Sequence, residues 1–147
     1  MPRSNLALPD LAATQAFAAR IAPLLRKGDF IALRGELGAG KTEFARALLH
    51  RLGVTGEVPS PTFTLVQSYD AGGLTIAHFD LYRLKAADEL DELGWDDALA
   101  DGVALVEWPE RAGGRIPADR LELTFKLEAN GSRSVAIEPC DSWLNRL

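Results

Sequence analysis

The chain has 147 residues, 47% apolar and 25% charged, which are the proportions of one soluble globular domain with a proper core. Its formal charge is −5, from 16 Lys and Arg against 21 Asp and Glu, which argues against a protein that grips nucleic acid unaided. One cysteine, Cys140, excludes an internal disulfide, and with no long apolar run and no signal-peptide core over Met1–Asp10 the sequence predicts a reduced, cytoplasmic protein without a membrane span.

In chain order, residues 1–9 read as a short extended segment ending at Pro9. Asp10 is placed to cap a helix whose stripe is Leu11, Thr14, Phe17, Ala18, Ile21, Leu24 and Leu25, ending near Arg26-Lys27-Gly28. Phe30-Ile31-Ala32-Leu33 is a short, wholly apolar run, as expected of a central parallel strand covered on both faces. After a glycine-rich loop, Phe44, Ala45, Leu48, Leu49 and Leu52 recur at helical spacing, and Gly53 is a C′ stop. A Gly- and Pro-rich connector then leads into a predicted hairpin, with Thr62–Tyr69 and Leu74–Phe79 as strands and Asp70–Gly73 as the turn. Ala86–Leu93 reads as a helix stopped by Gly94, and Trp95–Ala100 as a second short one. Val103–Val106 is another buried strand, and Glu110–Pro117 is a loop. Asp119–Glu128 alternates apolar and polar residues, turns at Asn130-Gly131 and pairs back over Ser134–Glu138, before a short helix over Asp141–Leu147. No internal repeat or low-complexity run divides the chain, so one domain spans residues 1–147.

The stretch Gly35-Glu36-Leu37-Gly38-Ala39-Gly40-Lys41-Thr42 fits the phosphate-binding pattern G-x-x-x-x-G-K-[S/T], in the strand–loop–helix context it requires. Its glycines permit the backbone to turn successive N–H groups toward an anion. Lys41 supplies a compact charge for the β- and γ-phosphates and Thr42 a hydroxyl for Mg²⁺, while the helix adds the positive end of its dipole. Acids at the carboxyl ends of sheet strands complete such sites, and two fit: Asp80 after Leu74–Phe79, and Glu107 after Val103–Val106, which resembles a Walker B strand with Glu in place of Asp.

Ser60-Pro61-Thr62 lies where a switch segment would, although taken alone it reads better as a Pro-stiffened turn whose Ser and Thr bond their own backbone. Trp108 and His78 read by default as core residues. Arg83, Arg111, Arg115 and Arg133 are candidate phosphate partners. With one Cys and two His there is no metal-ligand cluster of the usual spacing, and none of Asn5, Asn130 or Asn145 is followed by Lys, so the guanine selector Asn-Lys-x-Asp is missing and ATP is the expected nucleotide.

Four blocks occur in one order and spacing: Gly35–Thr42, Ser60-Pro61-Thr62-Phe63-Thr64-Leu65-Val66, His78-Phe79-Asp80-Leu81-Tyr82-Arg83-Leu84 and Val106-Glu107-Trp108-Pro109-Glu110. Together they resemble the bacterial ATPase of tRNA threonylcarbamoyladenosine synthesis, the TsaE (YjeE) family, over nearly the whole chain and most strongly from Gly35 to Glu110. The resemblance implies an α/β, three-layer P-loop NTPase-like fold with a mixed parallel and antiparallel central sheet flanked by helices. It also implies slow, Mg²⁺-dependent ATP hydrolysis. In it, Thr42 and Glu107 ligate Mg²⁺, while Lys41 and the backbone of Glu36, Leu37, Gly38, Ala39, Gly40 and Thr42 hold the phosphates. Asp80 positions the attacking water or supports the metal, Thr62 belongs to a switch, Trp108 sits beside the nucleotide and Arg133 contacts it. Asp10 and Thr14 are nominated for the adenine pocket. Family members bind the threonylcarbamoyltransferase and its dimerising partner (TsaD and TsaB), whose complex their ATP cycle is thought to reset. They meet tRNA only through that complex and no membrane. The alternative is a small P-loop kinase acting on a small molecule, with Arg111–Arg115 as a thin version of an arginine-rich lid.

Overall fold

The computed structural model describes residues 3–147, so Met1 and Pro2 of the segment read for a signal peptide lie outside it. One seven-stranded sheet carries the chain: β1 (Ser4–Leu8), β2 (Phe30–Arg34), β3 (Val66–Ala71), β4 (Leu74–Asp80), β5 (Val103–Glu107), β6 (Leu121–Leu127) and β7 (Arg133–Pro139). Across it the order is β1-β7-β6-β2-β5-β4-β3. The centre is parallel, with β2 pairing β5 and β6, and β5 pairing β4. Both margins are antiparallel, β3 on β4 and β1 and β6 on β7. The sheet is therefore mixed, as its alternation of α/β and hairpin patterns requires.

Period-two alternation divides the strands between two cores. Ile31 and Leu33 of β2, Ile76 of β4, and Val103 and Leu105 of β5 face a core shared with α1 (Leu11–Ile21) and α2 (Lys41–Arg51). Phe30 and Ala32, Ala77 and Phe79, Ala104 and Val106 face the opposite core, closed by α3 (Glu89–Glu92), α4 (Trp95–Asp101) and the 3₁₀ segment Pro109–Arg115. Phe17 and Phe44 join the two helices of the first layer, with ring centroids 5.3 Å apart. In the second, Trp95 meets Phe30 and Phe79 edge-on at 5.8 and 5.0 Å, the arrangement the ring quadrupole favours. Two covered faces make this a three-layer P-loop NTPase-like fold.

Helix ends follow local chemistry. Asp10 caps α1, its Oδ1 accepting the Ala13 N–H at 2.9 Å. The helix stops at Ile21, short of the predicted end near Arg26-Lys27-Gly28, because Pro23 has no N–H to continue the ladder, and Ala22–Leu24 tightens to 3₁₀. Leu11, the first residue of the predicted stripe, is exposed. Gly53 adopts φ 111° after α2, with its N–H on the His50 carbonyl and that of Val54 on Leu49, a Schellman ending.

Other predicted boundaries move too. The strand expected from Thr62 begins at Val66, since Thr62–Thr64 forms a turn closed by Leu65 N–H on the Pro61 carbonyl, with Leu65 at φ 69°. The hairpin turn shrinks to Gly72-Gly73, both at positive φ, which the right-handed twist of two-residue hairpins demands. The helix expected over Ala86–Leu93 is only Glu89–Glu92, because Glu89 turns back to accept the Lys85 and Ala86 N–H groups, each at 3.1 Å, and so fixes a non-helical entry.

A buried ion pair unreadable from local pattern ties the last residues to the base of β2. Arg146 donates to Asp29 Oδ2 at 2.7 Å and Oδ1 at 2.9 Å, and also to the Leu24 carbonyl and Ser142 Oγ. Both side chains are only 6% exposed, and the guanidinium lies over the Trp143 ring, 4.2 Å from its centroid. Breaking such a pair leaves an uncompensated buried charge. Arg146→Ala is expected to cost about 3–5 kcal/mol, whereas the paired replacement Asp29→Leu with Arg146→Met costs far less. Urea unfolding of the three variants checks this, and equal losses in the single and paired variants would contradict it.

Candidate functional site: a phosphate loop facing two strand-end acids

The loop between β2 and α2 lies at the carboxyl end of the central strand, where ligands of open α/β sheets sit. Gly35 (φ 134°) is the position with no room: a Cβ there would run into the Phe125 carbonyl of the neighbouring strand. Gly40 (φ 116°) opens α2 in a left-handed conformation, with the Arg133 side chain close beside it. Lys41, only 4% exposed, folds back under the loop to donate to the Gly35 carbonyl and to that of Glu36 at 3.3 Å. Its ammonium lies 3.8 Å from the centroid of the Trp108 ring. Burial lowers the Lys41 pKa, while the carboxylates of Glu107, Asp80 and Glu110 pull it back up.

The parallel register brings the acids to this charge. Asp80 and Glu107 are the last residues of β4 and β5, and they pair directly with one another across the ladder. By alternation both point to the α2 side, in line with Ile76 and Leu105 respectively. The first turn of α2 then meets β5: Thr42 Oγ1 donates to Glu107, 2.9 Å from Oε1 and 3.0 Å from Oε2. Asp80 accepts the Tyr82 N–H at 3.1 Å and the Thr62 hydroxyl at 3.2 Å, and Ser60 Oγ lies 2.7 Å from Thr62 Oγ1. The Ser60–Thr62 segment thus bonds a strand-end acid across the sheet as well as itself. Burial raises the Asp80 pKa, opposed by the Tyr82 N–H and reinforced by the charge of Glu107.

A cleft of about 370 Å³ joins these groups, lined by Leu37, Gly38, Gly40, Lys41, Thr42, Thr62, Asp80, Glu107, Trp108 and Arg133 among the expected residues. Glu36 contributes its carbonyl to Lys41, and Ala39 is buried beneath the loop with its N–H on Glu36. Trp108, core by default but placed beside the nucleotide by the family resemblance, is half-buried against the second core and lines the cleft. It takes φ 58° immediately after Glu107 and packs its ring on both Lys41 and Tyr82, the latter at 4.9 Å. Arg133 stands at the rim, donating to Glu43 at 2.8 Å. Of the other candidate arginines none lines the cleft: Arg83 stacks on Phe63, and Arg115 is held by Asp91, Asp96 and the Ala87 carbonyl.

Glu43 and Arg46 of the lining were not singled out in the sequence, and His78 was given no role at the site. Arg46 lines the cleft and holds the Val58 carbonyl at 3.0 Å; its signal was its place four residues after Thr42, on the same helical face. His78, read as a structural residue, places Nε2 at 2.7 Å from Glu107 Oε2. A second hollow of about 220 Å³, lined by Leu8, Pro9, Asp10, Leu11 and Thr14, adjoins the cleft through the shared residues Glu43 and Arg133.

Among the described residues no three His, Cys, Asp or Glu side chains gather as a dedicated metal site. Mg²⁺ at a nucleotide site needs only one or two protein oxygens besides phosphate and water, and the Thr42 hydroxyl with the Glu107 carboxylate is a donor set of that kind. The residues fit the ion. Among the described residues no helix is long and apolar enough to cross a membrane.

The sheet order, the loop at the end of β2 and the two acids beside it define a P-loop protein of the α/β class. The chain belongs to the TsaE family: the model of the threonylcarbamoyl adenosine biosynthesis protein TsaE matches residues 8–135. It is 38% identical to the tRNA threonylcarbamoyladenosine biosynthesis protein TsaE of Bacillus subtilis over 83% of this chain and 77% of that one. To the protein of the same description from Streptomyces coelicolor it is 45% identical, over 71% of this chain and 72% of the other. The crystal structure of Bacillus subtilis YdiB superposes with a TM-score of 0.82 at 29% identity, covering 99% of this chain and 91% of YdiB.

The raised Asp80 pKa has a consequence for stability. Because the folded state holds this proton more tightly than the unfolded chain, ionising Asp80 costs stability as pH rises through the folded value. Asp80→Asn keeps the shape and removes the charge. It is expected to stabilise the fold at pH 7, with the gain vanishing as pH falls below about 4. Denaturant midpoints at the two pH values check this; an equal gain at both would exclude the buried charge as its cause.

Proposed function

We propose that this protein is the Mg²⁺-dependent ATP-binding and ATP-hydrolysing member of the tRNA threonylcarbamoyladenosine pathway, acting on the transferase complex rather than transferring the group itself. The observation that carries the reading is the meeting of Thr42 with Glu107 beside buried Lys41, at the open end of the central strands. Lys41 and the loop N–H groups bind the triphosphate, and Thr42 and Glu107 hold Mg²⁺. Bound there, the ion would supply positive charge to the phosphate oxygens. Asp80, raised by burial and bonded to Thr62, orients the water that attacks, and the Thr62 turn is the switch that senses the γ-phosphate. Trp108 closes the cleft over Lys41 and excludes water from that side. The hollow bounded by Asp10 and Thr14 receives adenine, and Arg133, between the two hollows, meets the nucleotide.

A small-molecule kinase would need a mobile basic lid. The segment proposed for one is anchored instead: Arg115 is held by Asp91 and the Ala87 carbonyl, and its own carbonyl accepts the Trp95 indole N–H. The partners are the threonylcarbamoyltransferase and its dimerising subunit, of the TsaD and TsaB type. The −5 charge agrees with tRNA being held by them.

Calorimetry is expected to show Mg·ATP binding that Lys41→Ala reduces by at least about 100-fold, since a buried charge-assisted contact to phosphate is lost. Retained affinity would remove the loop from the reading. Gel filtration with the cognate transferase pair is expected to give an ATP-dependent complex. Its failure to form, alongside normal ATP binding, would shift the function to the kinase.

A further inference from the structure

We propose that His78 is a positioning residue for the metal–nucleotide site, fixing the Glu107 carboxylate in the rotamer that faces Thr42. The proposal rests on the reading of Glu107 as a Mg²⁺ ligand. His78 lies in the middle of β4, opposite Leu105 of β5 and two residues before Asp80, so its ring reaches diagonally to the next β5 residue on the same face, Glu107. It is fully buried, and an ionised carboxylate only accepts, so Nε2–H donates to Glu107 Oε2 at 2.7 Å. The other ring nitrogen, Nδ1, is buried with no hydrogen-bond partner among the described residues.

That asymmetry separates positioning from packing. A histidine kept for the fold has both nitrogens satisfied, since an orphaned buried polar atom costs free energy that Leu or Phe at the same place would not. Here the ring's single polar contact among the described residues is with the acid. Glu107 needs it: the terminal torsion of a glutamate is broad and two-fold, so packing alone does not set the plane of the carboxylate. Thr42 shares one proton between both Glu107 oxygens, and His78 is the donor that tells them apart. Oε2 is thereby tied to the sheet. Donors that orient a ligating carboxylate in this way are worth about 10–100-fold in metal affinity.

The test compares His78→Gln, whose amide nitrogen reaches the position of Nε2, with His78→Asn and His78→Leu, which do not reach it. Equilibrium dialysis with labelled ATP gives the Mg²⁺ concentration that half-maximally supports binding, and dialysis in EDTA gives the metal-free affinity. H78L and H78N are expected to need about 10–100-fold more Mg²⁺ at unchanged metal-free affinity, with H78Q close to the parent. On an Glu107→Ala background, H78L is expected to add nothing, because it acts through that carboxylate. If H78L does not fold, H78Q against H78N carries the comparison. Equal Mg²⁺ requirements in all the His78 variants, or additive losses with Glu107→Ala, would overturn the proposal while the metal site stands. A parent protein whose ATP binding ignores both Mg²⁺ and Glu107→Ala would overturn the metal reading itself.

Discussion

The cleft depends on one constraint, the parallel register of β4 and β5 beside β2. Pairing Asp80 with Glu107 sets both acids at the same height, and pairing Leu33 with Glu107 sets that height level with the end of the strand that launches the loop. A slip of one residue in any of these pairings would turn the acids into the opposite core. Register is fixed because both faces are buried: Ile31, Leu33, Val103 and Leu105 on one side, Phe30, Ala32, Ala104 and Val106 on the other. Core packing is thus what holds the functional geometry.

Charge at the cleft is balanced by arrangement rather than by number. Lys41 is taken out of water and held to carbonyls and an aromatic face, with Glu107, Asp80 and Glu110 near enough to favour its charged form. Asp80 bears the cost, being forced toward its neutral form by burial and by Glu107. Strain gathers at the same place, with Trp108 and Leu65 in left-handed backbone on either side of the acids' strands. Leu65 offers its carbonyl to the Asp80 N–H, so the turn bearing Thr62 is tied to the acid by backbone as well as by hydroxyl. Groups that a ligand would relieve are concentrated where a ligand would bind, as stored strain at functional sites is.

The opposite end of the sheet is closed by a different device. Asp29 begins the approach to β2 and takes both Arg146 nitrogens, so the end of the chain locks the base of the strand whose other end carries the loop. Rigid support at the base thus holds the loop and the strand-end acids in place at the mouth.

The central strand, the loop, α2 with its Gly53 stop and the strand-end positions of Asp80 and Glu107 are legible in the sequence, because each rests on local periodicity or on backbone freedom that only glycine has. The sequence also carried the family, through four blocks whose order no local rule could supply. That Thr42 bonds Glu107, that the Trp108 ring lies over Lys41, that Arg46 lines the cleft and that Arg146 clamps Asp29 came from the folded arrangement alone. These contacts join residues up to 117 positions apart, and which side chains meet is set by sheet register and helix placement, not by spacing along the chain. His78 shows the difference most plainly. Its alternation with apolar neighbours fixed its face, but only the adjoining strand supplied the carboxylate that gives the imidazole a task.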